Sequence, residues 1–223
     1  MNRFYILILL LLFAIPGYTF DFDVPVDILN ILEDKKSKPG SEPDIILLSD
    51  QLSEVVVSFN SALRNLSKSQ MVFAEALDLK EVAEVAKGNG ESLASGDLAG
   101  KDELEKVVSS SNEVQIKINK KMAEGQLLSD ESRVKFLTGV TPYLKGTADM
   151  VLTSNNSRSA AISLLNTRDL SILNKIATLV YVATESPNLI SLFSTTTYTL
   201  TKFMSSNGLD TRELESASES LGE

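Results

Sequence analysis

A long, regular heptad pattern of apolar residues constrains this chain more than any other feature. Apolar residues recur at alternating intervals of three and four positions, with Ser69 the only polar member: Ile45, Leu48, Leu52, Val55, Phe59, Ala62, Leu66, Ser69, Phe73 and Ala76. This spacing predicts one α-helix about 50 Å long with an apolar stripe along its length. The candidate interaction seam or core comprises Leu48, Leu52, Val55, Phe59, Leu66 and Phe73.

The region after this helix predicts a turn and then a second long helix. Helical spacing continues over Lys80–Ala86, but four glycines are typical of a turn region: Gly88, Gly90, Gly96 and Gly100. Asp102 and Glu105 have the spacing of a capping box, which predicts a helix that begins there and reaches Glu124. Gly125 is the expected left-handed stop of that helix.

The second half of the chain predicts further helices with several interruptions. Ser129 is the expected cap of a helix that Pro142 kinks, and the polar run 153–157 is expected to end its pattern before a short helix over 158–165. Another helix is expected from Leu170 to Val180. Ser186 and Pro187 then form a typical helix start, and Asn207–Gly208 a typical end.

One stretch of the last helix is β-prone by composition. Residues 194–201 are rich in threonine, which favours strands. Apolar residues nevertheless keep helical spacing through this stretch: Leu189, Phe193, Leu200 and Phe203. We therefore predict that the stretch is helical.

These elements predict an all-α protein, an antiparallel bundle of four or five helices that follows an N-terminal signal peptide. The expected organisation is a signal peptide over 1–19, an acidic linker rich in Pro and Gly over 20–40, the helical domain over 41–208 and an acidic tail over 209–223. A helix start is expected at Ser41–Asp44, where a serine cap precedes proline and acidic residues.

The N-terminus has the pattern of a secretory signal. Arg3 precedes the uncharged apolar run Phe4–Ile15, and Pro16–Gly17 breaks that run before the expected cleavage after Thr19. The apolar run is shorter than the ~20 residues of a membrane-spanning helix. An uncleaved anchor helix is the alternative. We expect no lipoprotein anchor, because the chain has no Cys, and we expect the protein to be secreted or periplasmic.

Composition excludes several kinds of catalytic site. The chain of 223 residues contains no His, no Cys and no Trp. A Ser-His-Asp triad, a cysteine nucleophile, an Fe–S cluster and a zinc site with His or Cys ligands are therefore impossible. The net charge of −9 argues against nucleic acid as a partner, because nucleic acids bind clustered Lys and Arg.

Three short patterns have the residue types of a functional site but lack the rest of the motif. Ser132 and Lys135 have the spacing of a serine–lysine hydrolase without its companion elements. Lys87–Gly90 resembles a phosphate loop but lacks the further glycine and the Gly-Lys-Ser/Thr end. The acidic groups at 21–27 and 81–84 lack the arrangement of a calcium loop. We predict no catalytic, cofactor or metal-binding residues.

The expected function is therefore a non-enzymatic interaction or structural role in the cell envelope or the secreted fraction, with a protein partner or self-association. The alternative is a membrane-active, pore-forming-like protein that uses the apolar segment 170–204. Its candidate membrane or partner contacts are Ile176, Val180, Leu189, Phe193, Leu200 and Phe203. An enzyme that works through carboxylates, Ser, Lys or Tyr is the third possibility.

Overall fold

All elements of the structure are α-helices, as the sequence predicted. The structure is a computed structural model that describes residues 45–94, 100–165 and 173–221. These residues form six helices: α1 Ile45–Ala76, α2 Lys80–Ser92, α3 Lys101–Ala123, α4 Asp130–Leu165, α5 Leu173–Ser206 and α6 Arg212–Leu221. The predicted signal peptide, the linker and the helix start at Ser41–Asp44 lie outside the described residues.

Helices α1 and α4 make the most extensive helix pair among the described residues. Two glycines of α4 permit their close approach, because a Cβ on Gly139 would lie 2.7 Å from the Phe73 ring and a Cβ on Gly146 would lie 2.7 Å from Leu66 Cγ. The later residue of α4, Gly146, meets the earlier residue of α1, Leu66, and the earlier residue of α4, Gly139, meets the later residue of α1, Phe73. Helices α1 and α4 are therefore antiparallel where they touch.

Buried aromatic rings join α1 and α4 to α5. The ring centroids of Phe73 and Phe136 are 4.5 Å apart, those of Phe136 and Phe203 are 5.3 Å apart, and those of Tyr143 and Phe193 are 6.1 Å apart. All five rings are at least 97% buried. Tilted and edge contacts of this kind add about 0.5–1.5 kcal/mol per pair beyond the burial of area. These rings make one continuous core across three helices.

A network of hydrogen bonds between polar side chains joins α1, α3 and α5 within the same core. Gln70 Nε2 donates to Gln115 Oε1 at 3.1 Å, and Ser111 Oγ donates to Gln70 Oε1 at 2.9 Å. Gln115 Nε2 donates to Asn119 Oδ1, and Asn119 Nδ2 donates to Thr196 Oγ1 at 2.9 Å. Because buried polar groups are costly without partners, this chain of hydrogen bonds favours one relative position of the three helices.

The predicted turn at Gly88 and Gly90 is wrong, because α2 continues through both glycines to Ser92. The helix buries Ala83 and Ala86 against the core, and this tertiary packing offsets the ~1 kcal/mol that each glycine costs in a helix interior. Leu93, at the end of α2, is also buried. Tertiary packing therefore outweighs the low helix propensity of glycine in α2.

The predicted capping box of α3 is also wrong. The N-cap is Gly100, two residues before the expected cap Asp102, and no side chain caps the helix. Glu105 pairs instead with Lys101 at 2.9 Å, one turn away on the same helix. The ion pair therefore uses the carboxylate that the capping box would need.

Two predicted interruptions are absent, because α4 runs unbroken to Leu165 and α5 runs unbroken from Leu173 through Pro187. Hydroxyl groups bond back to the preceding turn at both places. Thr153 Oγ1 donates to the Asp149 carbonyl at 2.7 Å, and the buried Ser186 hydroxyl donates to the Val182 carbonyl. Such bonds satisfy polar side chains inside a helix, so these residues do not end it.

Several predicted helix boundaries are confirmed. Ser129 Oγ accepts the Ser132 N–H at 3.2 Å and so caps α4. Gly125 and Gly208 have φ angles of 73° and 68°, the left-handed conformation expected after a helix. The threonine-rich stretch 194–201 is helical, and part of the acidic tail forms α6, which buries Leu214.

Candidate functional site

The described part of the predicted seam lies inside the protein. Val55 is 4% exposed, and Phe59, Leu66 and Phe73 are fully buried. Leu48 and Leu52 lie in α1, but their side chains are outside the described residues. The four described side chains therefore contact the protein's own core. The expected protein partner or self-association stays a prediction.

The apolar residues assigned to a membrane or partner contact also lie largely inside. Leu189, Phe193, Leu200 and Phe203 are each at most 3% exposed, and Val180 is half-buried. Ile176 lies in α5, with its side chain outside the described residues. Among the helices of the described ranges, none is both long and apolar enough to span a bilayer. The membrane-active hypothesis stays a prediction that requires these four side chains to leave the core.

A different region of the surface forms a concavity lined by charged residues. Helices α1 and α2, Ala94 and one residue of α4 line this open cleft of about 560 Å³. Four cationic side chains line it: Arg64, Lys68, Lys87 and Lys145. All four residues are exposed, and Glu91 is the only acidic residue of the lining. We call this cavity and its lining the basic cleft.

The four cations of the basic cleft have no carboxylate partner within 4 Å in the described part of the chain. Elsewhere, Lys101, Lys121 and Lys135 each form an ion pair of 2.9–3.2 Å. Unpaired charges of one sign around a concavity create a local potential that attracts the opposite charge. The cleft is therefore a positive region on a chain whose net charge is −9.

The floor of the basic cleft contains an unsatisfied hydroxyl. Ser67 lines the cleft and is fully buried, and its Oγ has no hydrogen-bond partner among the described residues. A buried polar group without a partner costs about 1–3 kcal/mol. Gly90 of α2 also lines the cleft, where a Cβ would lie 3.5 Å from Ser67 Cβ, so the two helices are close there. The Ser67 hydroxyl is inaccessible from the cleft, so it lies beneath the lining and is not a contact for a ligand.

The edge of the cleft nearest α4 is fixed by a hydrogen bond between helices. Asn65, which lines the cleft, donates through Nδ2 to Asp149 Oδ2 at 3.3 Å. Asp149 lies one turn after Lys145 on α4. This bond joins α4 to α1 beside Lys145. It occupies one carboxylate oxygen of Asp149, the acidic residue one turn from that lysine.

These residue types suit anion binding more than acid–base catalysis. Guanidinium and ammonium groups donate several hydrogen bonds to phosphate or carboxylate oxygens, and Arg binds such groups through two parallel N–H bonds. The described residues contain no group of acidic side chains that is arranged to hold a metal ion. The arrangement can bind and orient an oxyanion.

Sequence reasoning missed this site because its residues come from three helices. Arg64 and Lys68 are recognisable as an i, i+4 pair on the polar face of α1, which is typical of a solvated surface. Lys87 and Gly90 belong to the pattern that resembles a phosphate loop; the structure shows that it is helical and places both residues at the cleft. Lys145 joins them only through the packing of α4 on α1.

Comparison of the chain with protein-family models, with curated proteins and with solved structures found no match. The geometry of the basic cleft is therefore the basis for a functional proposal.

Proposed function

We propose that the protein is an exported, non-enzymatic binding protein, an antiparallel helical bundle that holds an anionic ligand in the basic cleft. One observation carries the proposal: the four cations that line a single cavity have no carboxylate partner within 4 Å among the described residues. Like charges that line one cavity repel one another. A bound anion would offset that repulsion.

The size of the cleft supports a small ligand. Pockets for small molecules typically have volumes of about 300–1,000 Å³, and the basic cleft, at about 560 Å³, lies within this range. Its four exposed cations come from three helices, so an oxyanion would be contacted from more than one side. Export is supported by the Arg3 and Phe4–Ile15 pattern.

Isothermal titration of the protein expressed without residues 1–19 with inorganic phosphate and with pyrophosphate tests the proposal. We expect binding of both, tighter for the more highly charged pyrophosphate, and weaker for each as ionic strength rises. A variant with Arg64→Gln, Lys68→Gln and Lys145→Gln is expected to lose at least tenfold in affinity for pyrophosphate, since each lost charge-assisted bond contributes about 1.5–3 kcal/mol.

The matched control removes three charges from a different surface. Lys106, Lys117 and Lys120 are exposed residues of α3 that do not line the cleft. Their replacement by glutamine changes the net charge equally and is expected to leave the affinity within about twofold, because distant surface charges are screened. Equal losses in both triple variants, or no binding of either anion by the parent protein, would show that the cleft is not an anion site.

A further inference from the structure

Two exposed aliphatic side chains lie beside the basic cleft. Val57 is 54% exposed on α1, and Leu152 is 58% exposed on α4. Val57 precedes the cleft residues Ser61 and Arg64 by four and seven positions, so it lies on the same face of α1, one turn beyond the cleft. Leu152 follows Lys145 by seven positions and so lies on the same face of α4.

The antiparallel packing places both residues at the same end of the cleft. Asn65 of α1 contacts Asp149 of α4, and Leu66 contacts Gly146. Residues later in α4 than Asp149 therefore lie beside residues earlier in α1 than Asn65. Leu152 and Val57 therefore lie at the same end of the cleft, one on each helix, beyond the Asn65–Asp149 hydrogen bond.

Single exposed aliphatic residues are ordinary on protein surfaces and need no explanation. The informative feature here is the position of this pair, on the two facing helices and at one end of a cleft whose four cations have no carboxylate partner within 4 Å among the described residues. A ligand with only a charged group would use the cleft and leave this surface in water. A ligand with a charged group and a hydrocarbon chain would cover both.

We infer that the ligand is an anionic amphiphile, a single molecule whose phosphate-like head group binds in the basic cleft and whose alkyl chain lies across Val57 and Leu152. This inference rests on the proposed function and adds the class of ligand. The head group provides the attraction, and removal of apolar surface from water strengthens the binding. The net charge of −9 disfavours binding to the broad surface of an anionic membrane, so the inferred ligand is a single dissolved molecule.

Titration with three probes of graded chemistry tests the inference. Methyl phosphate has the head group without a chain, octyl phosphate below its micelle concentration has both, and octanol has the chain alone. We expect octyl phosphate to bind roughly tenfold more tightly than methyl phosphate, because several methylenes become partly buried. Octanol is expected not to bind measurably.

Two variants separate the apolar surface from the cleft. The double variant Val57→Ser and Leu152→Ser is expected to bring octyl phosphate within about twofold of methyl phosphate while the methyl phosphate affinity stays unchanged. The matched control, Val134→Ser and Leu127→Ser, replaces a valine and a leucine that are 67% and 70% exposed elsewhere. This control is expected to keep the roughly tenfold preference.

The outcomes distinguish the inference from the proposed function. If octyl phosphate binds no more tightly than methyl phosphate, or if its advantage survives in the Val57 and Leu152 variant, the amphiphile inference is wrong and the anion site stands. Octanol binding as tight as that of octyl phosphate, or binding only to anionic vesicles, would likewise overturn the inference. Failure of all the phosphates to bind would overturn both.

Discussion

The Tyr143 hydroxyl donates a hydrogen bond of 2.7 Å to the backbone carbonyl of Phe193 and lies 2.7 Å from the Thr197 hydroxyl. Tyr143 belongs to α4, and the two partners belong to successive turns of α5. The tyrosine is 1% exposed, so these contacts form away from water. The bond joins the two helices at the centre of the aromatic core.

Replacement of Tyr143 by phenylalanine is expected to destabilise the protein by about 1–2 kcal/mol, because the ring stays while one buried hydrogen bond is lost. Urea denaturation followed by circular dichroism measures the change. Tyr198→Phe is the control, since Tyr198 is 59% exposed and its change is expected to stay within ~0.5 kcal/mol. Equal effects of the two substitutions would contradict a structural role for the Tyr143 hydroxyl.

Alkaline pH is expected to destabilise the protein through two tyrosines. Burial raises the pKa of Tyr143, and burial together with the nearby Glu185 and Glu105 carboxylates raises the pKa of Tyr181. The unfolded chain therefore loses these protons first, at an ordinary pKa of about 10. Stability is full below that pH and falls as the pH rises above it, by up to ~1.4 kcal/mol per pH unit for each residue.

Urea titrations at about pH 9, 10 and 11 measure this effect, which the Tyr143→Phe variant should show less strongly because one titrating group is absent. Lysine deprotonation contributes equally to both proteins, so the difference between them isolates Tyr143. Parallel losses of stability in the two proteins would show that Tyr143 does not contribute.

Alanine at Gly146 is expected to destabilise the protein by about 1–3 kcal/mol, because the new methyl group would lie 2.7 Å from Leu66 Cγ and 3.0 Å from the Leu66 backbone nitrogen. Backbone atoms cannot move aside as a flexible side chain can. Gly88→Ala is the matched control in α2, where a Cβ meets nothing within 4 Å. There the better helix propensity of alanine is expected to stabilise the protein by up to ~1 kcal/mol. Opposite signs in thermal or urea unfolding would verify the close contact of α4 with α1.

Alanine at Ser67 is expected to keep or raise stability by up to ~1 kcal/mol, because it removes a buried hydroxyl that has no partner. The same change is expected to leave pyrophosphate binding within about twofold, because the buried hydroxyl is not accessible from the cleft. Ser111→Ala is the comparison, since the Ser111 hydroxyl donates to Gln70 at 2.9 Å and its loss is expected to cost about 1–2 kcal/mol. A destabilising Ser67→Ala would mean that the hydroxyl is satisfied in solution.

The sequence predicted the helices wherever the signal was local and periodic. The apolar stripe of α1 was sufficient to predict that helix. The helical spacing of Leu189, Phe193, Leu200 and Phe203 was sufficient to predict a helix through the threonine-rich stretch of α5. The errors fell where packing overrides local signals. Pro187 looked like a helix start, but α5 continues through it, flanked by the buried residues Ser186 and Leu189.

The basic cleft was beyond prediction from sequence for a related reason. Periodicity shows which face of a helix is buried, but it does not show how far one helix is shifted along its neighbour. The positions of Arg64 and Lys87 relative to Lys145 depend on that shift. It is set by contacts such as Leu66 with Gly146, between residues that are remote in sequence.

The backbone position of Lys145 is set independently of the cationic side chains. Gly146 is the immediate neighbour of Lys145, and its contact with Leu66 involves the backbone of α1. Replacement of the exposed cations would therefore change the charge of the cavity and leave the contact between α4 and α1 intact.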